Sequence, residues 1–332
     1  MKFKRWGVLM AALLLVFSLG LLACAKPAGG TPEDNPIPDE EDEEVEIESY
    51  KFGFSCITME NPYYETLETS VREAVQEAGS TLITKDPKGD SNTQIQQIRD
   101  MISEGIDAIF LCPVDWEKIE PALTELKEAD IKIINLDTQV QNQDEVDAYV
   151  GSDNISAGTI CGEKLIEAAP EGGQVVILEC TTQNSIIDRI NGFEETIAGK
   201  GFEVVARAET GGERKTAKAR MAEILKEQDT ITAVMCGNDQ IALGALDAVE
   251  EAGRDEIMIY SVDGSPELKR ELAKDDSPVV GIAAQSPINI GKAAVTVALQ
   301  IMNGERYEEE TLEEVLYIDR GNVEMYGVDG WQ

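Results

Sequence analysis

"ITAVMCGNDQIALGALDAVEEAGRDEIMIYSVD", residues 231–263, decides the fold. An apolar run ends at Cys236, an Asn-Asp pair follows, apolar residues then recur at helical spacing, and a second apolar run ends at Asp263. The pattern reads strand, helix, strand. An earlier stretch echoes it, with "IDAIFLCPVD" at 106–115 and "IKIINLD" at 131–137. Asp115 and Asp137 stand 22 residues apart, and Asp239 and Asp263 stand 24 apart. In each copy the later aspartate ends a strand-like run. A duplicated α/β unit would give two similar lobes, each presenting a carboxylate to one cleft. Chance similarity between two strand–helix–strand units is the alternative.

The same alternation extends outward. "TLITKD", "QVVILEC", "FEVVARAE" and "VVGIAAQ" are further strand-like runs, separated by amphipathic segments such as the stripe Leu67, Val71, Ala74, Val75 and Ala78. Regular alternation predicts α/β layering around doubly wound parallel sheets. Helix starts are marked by Asn61-Pro62, Ser265-Pro266 and Ser286-Pro287, a capping residue before a proline at the first helical position. Ser91 to Gln94 fits a capping box. These four starts follow predicted strands, so they lie at the carboxyl ends of the sheets, where open α/β folds bind ligands.

The chain has 332 residues, 42% of them hydrophobic, enough for two domains. Lys2, Lys4 and Arg5 precede the apolar run "WGVLMAALLLVFSLGLLA", which reads as an export signal over 1–23. Its end, "LLAC" at Leu21 to Cys24, resembles the lipobox of bacterial lipoproteins, which implies cleavage before Cys24 and lipid on its thiol. The run is also near the lower length limit for a membrane-spanning helix, so an uncleaved anchor is the alternative. Residues 24–49 follow, with ten acidic residues between Glu33 and Glu48 and almost nothing apolar before Val45. Such a segment buries too little surface to order itself and reads as a self-repelling tether.

Formal net charge is −36, and loss of Lys2, Lys4 and Arg5 with a cleaved signal takes it to −39. A nucleic-acid partner, which needs a cationic face, is excluded. The chain has no histidine, which removes the commonest general base and metal ligand. Serine and cysteine triads cannot form without it, and no phosphate-binding loop, dinucleotide fingerprint or nucleophile elbow is present. With 64 acidic residues, a pair of carboxylates carries no information. The pattern favours binding over catalysis, with no metal and no cofactor. Cys56, Cys112, Cys161, Cys180 and Cys236 form no C-x-x-C pair, and four of them end strand-like runs, so they read as buried thiols; one disulfide remains open.

The groups left at the strand ends are Asn61, Tyr63, Tyr64, Asp137, Asn238, Asp263 and Gln285. Carboxylates accept from two hydroxyls at once, amides donate and accept, and aromatic faces cover the C–H faces of a ring, so the set suits a sugar or polyol. The structural alternatives are helix caps for the two asparagines, loop anchors for the aspartates and core packing for the tyrosines. Trp116, on another strand-end loop, is a packed aromatic or a further stacking surface.

These residues carry a resemblance. "NPYY", "NLDTQV", "CGNDQIALGAL", "SVDGSPE" and "GIAAQSP" occur in the order of the type I periplasmic sugar-binding proteins, close to the ribose-binding branch, from about Lys51 to near the C-terminus. The resemblance implies a monomeric receptor whose lobes close over a sugar and deliver it to an ABC permease. It implies lobes of 50–152 plus 286–318 and 153–285 plus 319–332, with chain crossings near Ser152, Gln285 and Asp319. The family's ligand contacts fall on the seven strand-end residues above. Departures are Thr138 where the branch has arginine, Ile187 at a ligand-facing arginine position with Arg189 matching only the second arginine, and Gly212 at a phenylalanine position. Asp137 and Asp263 would then lack a counter-charge unless Arg189 or Arg214 turns in or the ligand brings donors or a positive charge. A sensing module for a kinase or chemoreceptor shares fold and site and is the rival reading. A lactose-repressor-like regulator needs a helix-turn-helix where this chain has the signal and tether, and a hydrolase lacks its nucleophile and base.

Overall fold

The computed structural model describes residues 49–332; the signal run, Cys24 and nearly all of the acidic tether lie outside the described residues. In chain order the first sheet takes β1 (Lys51–Ser55), β2 (Thr81–Lys85), β3 (Ala108–Leu111), β4 (Lys132–Leu136) and β5 (Ala148–Ser152). The second takes β6 (Gly173–Glu179), β7 (Phe202–Glu209), β8 (Ala233–Cys236), β9 (Met258–Asp263) and β10 (Val279–Ala284). β11 (Glu310–Glu313) returns to the first sheet and β12 (Leu316–Asp319) to the second. Strand orders are β11-β5-β4-β3-β1-β2 and β12-β10-β9-β8-β6-β7. All pairings are parallel except β10 with β12. Two α/β lobes with helices on both sheet faces result, the class the alternation predicts.

Period-two alternation sorts the first sheet's side chains. Ala108, Phe110, Ile134 and Leu136 join one core, under the helices Pro62–Glu77 and Pro287–Met302. Ile109, Leu111 and Ile133 join the opposite core, under Ser91–Ser103 and Glu120–Glu128. The expected stripe holds: Leu67, Val71 and Val75 are fully buried.

The chain leaves the first sheet after Ser152, and its next helix, Asn154–Ala168, packs on Asn184–Ile197 in the second lobe. A Cβ on Gly158 would stand 1.8 Å from the Arg189 carbonyl, and one on Gly192 2.2 Å from that of Ile155. Only glycine permits this backbone approach, which seats the turn carrying Arg189. After Gln285 the chain re-enters the first lobe, where Ser70 donates to the Ile288 carbonyl at 2.7 Å.

Three expectations are corrected. The third change of sheet falls between Glu313 and Leu316 rather than near Asp319, because β12 already pairs antiparallel with β10. The C-terminal residues touch both lobes instead of the second alone. Trp331 packs edge-on against Tyr63 at 5.8 Å between ring centroids, while the buried Lys269 donates to the Gly330 carbonyl at 2.6 Å. The helix at 91 is capped by Asp90, whose carboxylate accepts from the Thr93 amide, and not by Ser91. The five described cysteines are free and buried. No helix among the described residues is long and apolar enough to cross a membrane.

Candidate functional site

Both lobes deliver their strand ends to one buried cavity. It is lined by Asn61, Tyr63, Tyr64 and Asp137 from the first lobe, and by Gln183, Ser185, Arg189, Asn238 and Asp263 from the second. Asp137 follows β4 and Asp263 ends β9, and they share an unusual backbone: φ is 60° at Asp137 and 141° at Asp263. Non-glycine residues seldom hold positive φ, so each turn bends to aim its carboxylate inward. The internal echo thus extends to local conformation.

Arg189 lies between them. Its Nη1 is 3.5 Å from Asp263 and donates to the Gly237 carbonyl at 2.9 Å; its Nε donates to Asn154 at 2.8 Å; its Nη2 is 4.0 Å from Asp137. The guanidinium is 3% exposed. This corrects the assignment of Ile187 to the ligand-facing position. Ser185 and Arg189 stand four residues apart on one helix face, whereas Ile187 lies half a turn round and lines no part of the cavity. Arg214 does not turn in: it pairs with Asp247 at 2.9 Å and Glu267 at 2.7 Å.

Hydrogen bonds complete the cluster. Tyr64 Oη donates to Asp137 Oδ2 at 2.9 Å, and Tyr149 Oη donates to the Asp137 carbonyl at 2.7 Å. Asp263 accepts from Gln285 Nε2 at 2.7 Å and from the Asp239 amide at 3.3 Å. Asp239 is buried and ties the loop after β9, accepting from Ser261, Gly264 and Ser265. Burial pushes the Asp137 and Asp263 carboxyls up from their ordinary values; Arg189 pulls both back, and at Asp263 the nearby Asp239 and Asp137 add to the rise. Burial works against the Arg189 charge, but the two carboxylates and two tyrosines more than offset it and hold the guanidinium above its ordinary value.

Asn61 and Asn238 cap helices as well as lining the cavity. Asn61 Oδ1 accepts from the Tyr63 amide at 3.0 Å, leaving Nδ2 without a partner among the described residues. Asn238 accepts from the Ile241 amide at 2.9 Å and donates to the Gly212 carbonyl at 3.3 Å. Gln285 stands behind Asp263, its Oε1 buried without a hydrogen-bond partner among the described residues, as is Tyr63 Oη. Buried polar groups without partners are rare in folded proteins and expensive, which is the condition an incoming hydroxyl relieves.

The lobes are closed on each other. The Ser185 amide donates to Thr138 Oγ1 at 3.1 Å, and the Trp116 amide donates to the Thr182 carbonyl at 3.1 Å, both across the cleft. Thr138 is fully buried but does not line the cavity, and neither does Trp116, which meets the other lobe through its backbone. Sequence reasoning missed Gln183 and Ser185; the signal was their place at the start of the helix that follows β6, the strand-end position that pointed to the other candidates. The cavity's volume is about 10 Å³, the room of roughly one water. That is below the ~300–1,000 Å³ of ordinary small-molecule sites, so a sugar requires the lobes to part further than they do here.

Two sheets with carboxyl ends facing across a three-stranded crossing define a bilobal solute-binding protein. Residues 52–306 match the family described as periplasmic binding protein domain, and the chain belongs to that family. Its members are extracytoplasmic binding proteins, and this chain is not an enzyme. The chain is 28% identical over 252 residues to the ribose import binding protein of Escherichia coli strain K12, covering 76% of this chain and 84% of that protein. It is 30% identical over 231 residues to the galactofuranose-binding protein of the same strain, covering 66% and 73%. Among solved structures it is similar to a Mycobacterium smegmatis ABC transporter solute-binding protein with bound glycerol, with a TM-score of 0.80 and 27% identity over 84% of this chain and 96% of that one.

Proposed function

We propose that this protein captures a neutral sugar or polyol between its lobes and delivers it to the permease of an ABC importer, as a monomer held at the outer face of the cell membrane by lipid on Cys24. The observation that carries the reading is the pairing of Asp137 from one lobe with Asp263 from the other around a single buried guanidinium. Hydroxyls that insert there accept from Arg189 and donate to the carboxylates. Tyr63 and Tyr64 line the cavity beside them, and Asn61 and Asn238 supply amide groups. Asp137, Asp263, Asn61, Tyr63, Tyr64, Asn238 and Arg189 are the proposed binding residues, with Gln285 acting through Asp263 from outside the cavity lining. Arg189 already answers the two carboxylates, so the ligand need not bring a positive charge, and an amino sugar is disfavoured against a neutral one. The lobes are proposed as 50–152 plus 286–313 and 153–285 plus 316–319, with the C-terminal residues shared.

Isothermal titration calorimetry with pentoses, hexoses, polyols and amino sugars tests the reading. Neutral members should bind and Asp263→Ala should weaken them by about 2–5 kcal/mol. No binding across the panel would sink it. For the anchor, metabolic labelling with a fatty acid should mark the wild-type chain and not Cys24→Ser.

A further inference from the structure

On the far side of Asn61, Tyr64, Gln183 and Asn238, which line the cavity around Arg189, lies a second chamber that shares those four residues as a common wall. Space for a water-sized sphere is about 490 Å³ there against about 10 Å³ within. We propose that the ligand is a two-unit glycoside, one sugar between Asp137 and Asp263 and a second, neutral sugar linked to it in the outer chamber. The proposal rests on the sugar-receptor reading above.

Gly212 lines the outer chamber beside this common wall. Its φ is 76°, and a Cβ there would stand 2.9 Å from Gln183 Nε2, so a side chain at this position would crowd the shared wall at Gln183. Gln183 is the second indication. It is 5% exposed, and its side-chain amide has no hydrogen-bond partner among the described residues, yet it lies against both chambers. An amide that is both donor and acceptor at this junction matches the hydroxyls on either side of a glycosidic bond.

Charge decides between a neutral and an ionic second unit. Lys88 from the first lobe and Lys215 from the second face the chamber, opposed by Glu60 and Glu213. None of the four makes an ion pair among the described residues, whereas Arg214 is already held by Asp247 and Glu267. Two free cations against two free anions leave no net charge, so an acidic or basic unit gains nothing over a neutral one. Both signs within reach suit hydroxyls, which donate to the glutamates and accept from the lysines. Ile57, Val114 and Tyr64 supply apolar wall for the C–H faces.

Calorimetry on the mature chain tests this. Each pentose and hexose of the panel is compared with disaccharides in which it is a terminal residue. At least one disaccharide should bind ten-fold or more tightly than either component. Gln240→Trp, which fills the chamber from the second lobe, should abolish that gain while leaving monosaccharide affinity unchanged; Lys215→Trp is the substitute if the first variant misfolds. Monosaccharide binding with no gain for any disaccharide, or a gain that survives the tryptophan, overturns the second site and leaves the receptor reading intact. Silence from both sugar classes overturns both.

Discussion

Replacing Arg189 by methionine removes the cation that, among the described residues, pairs with both aspartates. The side chain is buried and its four partners are fixed: Asp263 at 3.5 Å, Asp137 at 4.0 Å, the Gly237 carbonyl at 2.9 Å and Asn154 at 2.8 Å. Breaking a buried pair by deleting one partner costs about 3–5 kcal/mol, because the remaining charge stays desolvated. Asp263 keeps donors from Gln285 and the Asp239 amide, and Asp137 keeps Tyr64, which favours the lower half of that range. The acceptors on Gly237 and Asn154 add about 1 kcal/mol each. We therefore expect a loss of about 5–6 kcal/mol, read as a fall of roughly 10–24 °C in melting temperature by circular dichroism. The double variant Arg189→Met with Asp263→Asn should recover about 1–3 kcal/mol of it, since the orphaned charge is then gone. A fall below about 2 °C, or strict additivity in the double variant, would refute the picture of Arg189 as the counter-charge of the cluster.

Tyr64→Phe removes the hydroxyl that binds Asp137 and should weaken sugar affinity by about 1.5–3 kcal/mol in calorimetry, as for hydrogen bonds to charged groups. Thr138→Val deletes the acceptor of the Ser185 amide across the cleft; about 0.5–1.5 kcal/mol should go from closure, seen as a larger radius of gyration in small-angle scattering, with each lobe's melting unchanged. Native Asp137 and Asp263 have carboxyls raised above the unfolded value near 3.9, so between that value and the raised ones the native state binds more protons than the unfolded one. Their contribution to stability therefore falls as pH rises through the window. Asp263→Asn should flatten the pH dependence of melting above pH 5, and a wild-type slope retained in this variant would show that the dependence arises elsewhere.

What the sequence made legible follows from how each element is stabilised. β4, β8 and β9 are central strands buried on both faces, so they are written as apolar runs, interrupted inside only by Asn135 in β4 and Ser261 in β9, and Asp137 and Asp263 stand in plain view where β4 and β9 end. β5, β11 and β12 escaped notice because they carry less of that signal. β11 and β12 are four-residue edge strands with exposed charged or apolar positions, and β5 is the short strand "AYVGS" at a crossing. That is why the third crossing was misjudged. Arg189 was underrated for a different reason: a motif read residue by residue ignores that helix geometry, not order in the chain, chooses which side chain faces the cleft. Asp90 displaced Ser91 as a cap because both residue types serve, and only the backbone at that turn decides.

The closed site also explains why selectivity and closure belong to the same residues. With the lobes as they stand, Arg189 touches three second-lobe groups at 2.8–3.5 Å but Asp137 only at 4.0 Å, the limit of an ion pair. The guanidinium is thus a fixture of the second lobe that reaches toward the first without engaging it well. Direct bonds between lobes are few: the Thr138 and Trp116 contacts are neutral and worth about 1 kcal/mol each. A ligand hydroxyl placed between Arg189 and Asp137 accepts from one and donates to the other, converting a poor contact into two charge-assisted bonds of about 1.5–3 kcal/mol each. Those bonds form only when both lobes hold the same molecule. A sugar that lacks the hydroxyl leaves Asp137 buried with Tyr64 as its one side-chain donor, and the closed state is then disfavoured by the same amount. Ligand recognition and lobe closure are therefore one equilibrium, and a substitution at Asp137 should change affinity and degree of closure in proportion.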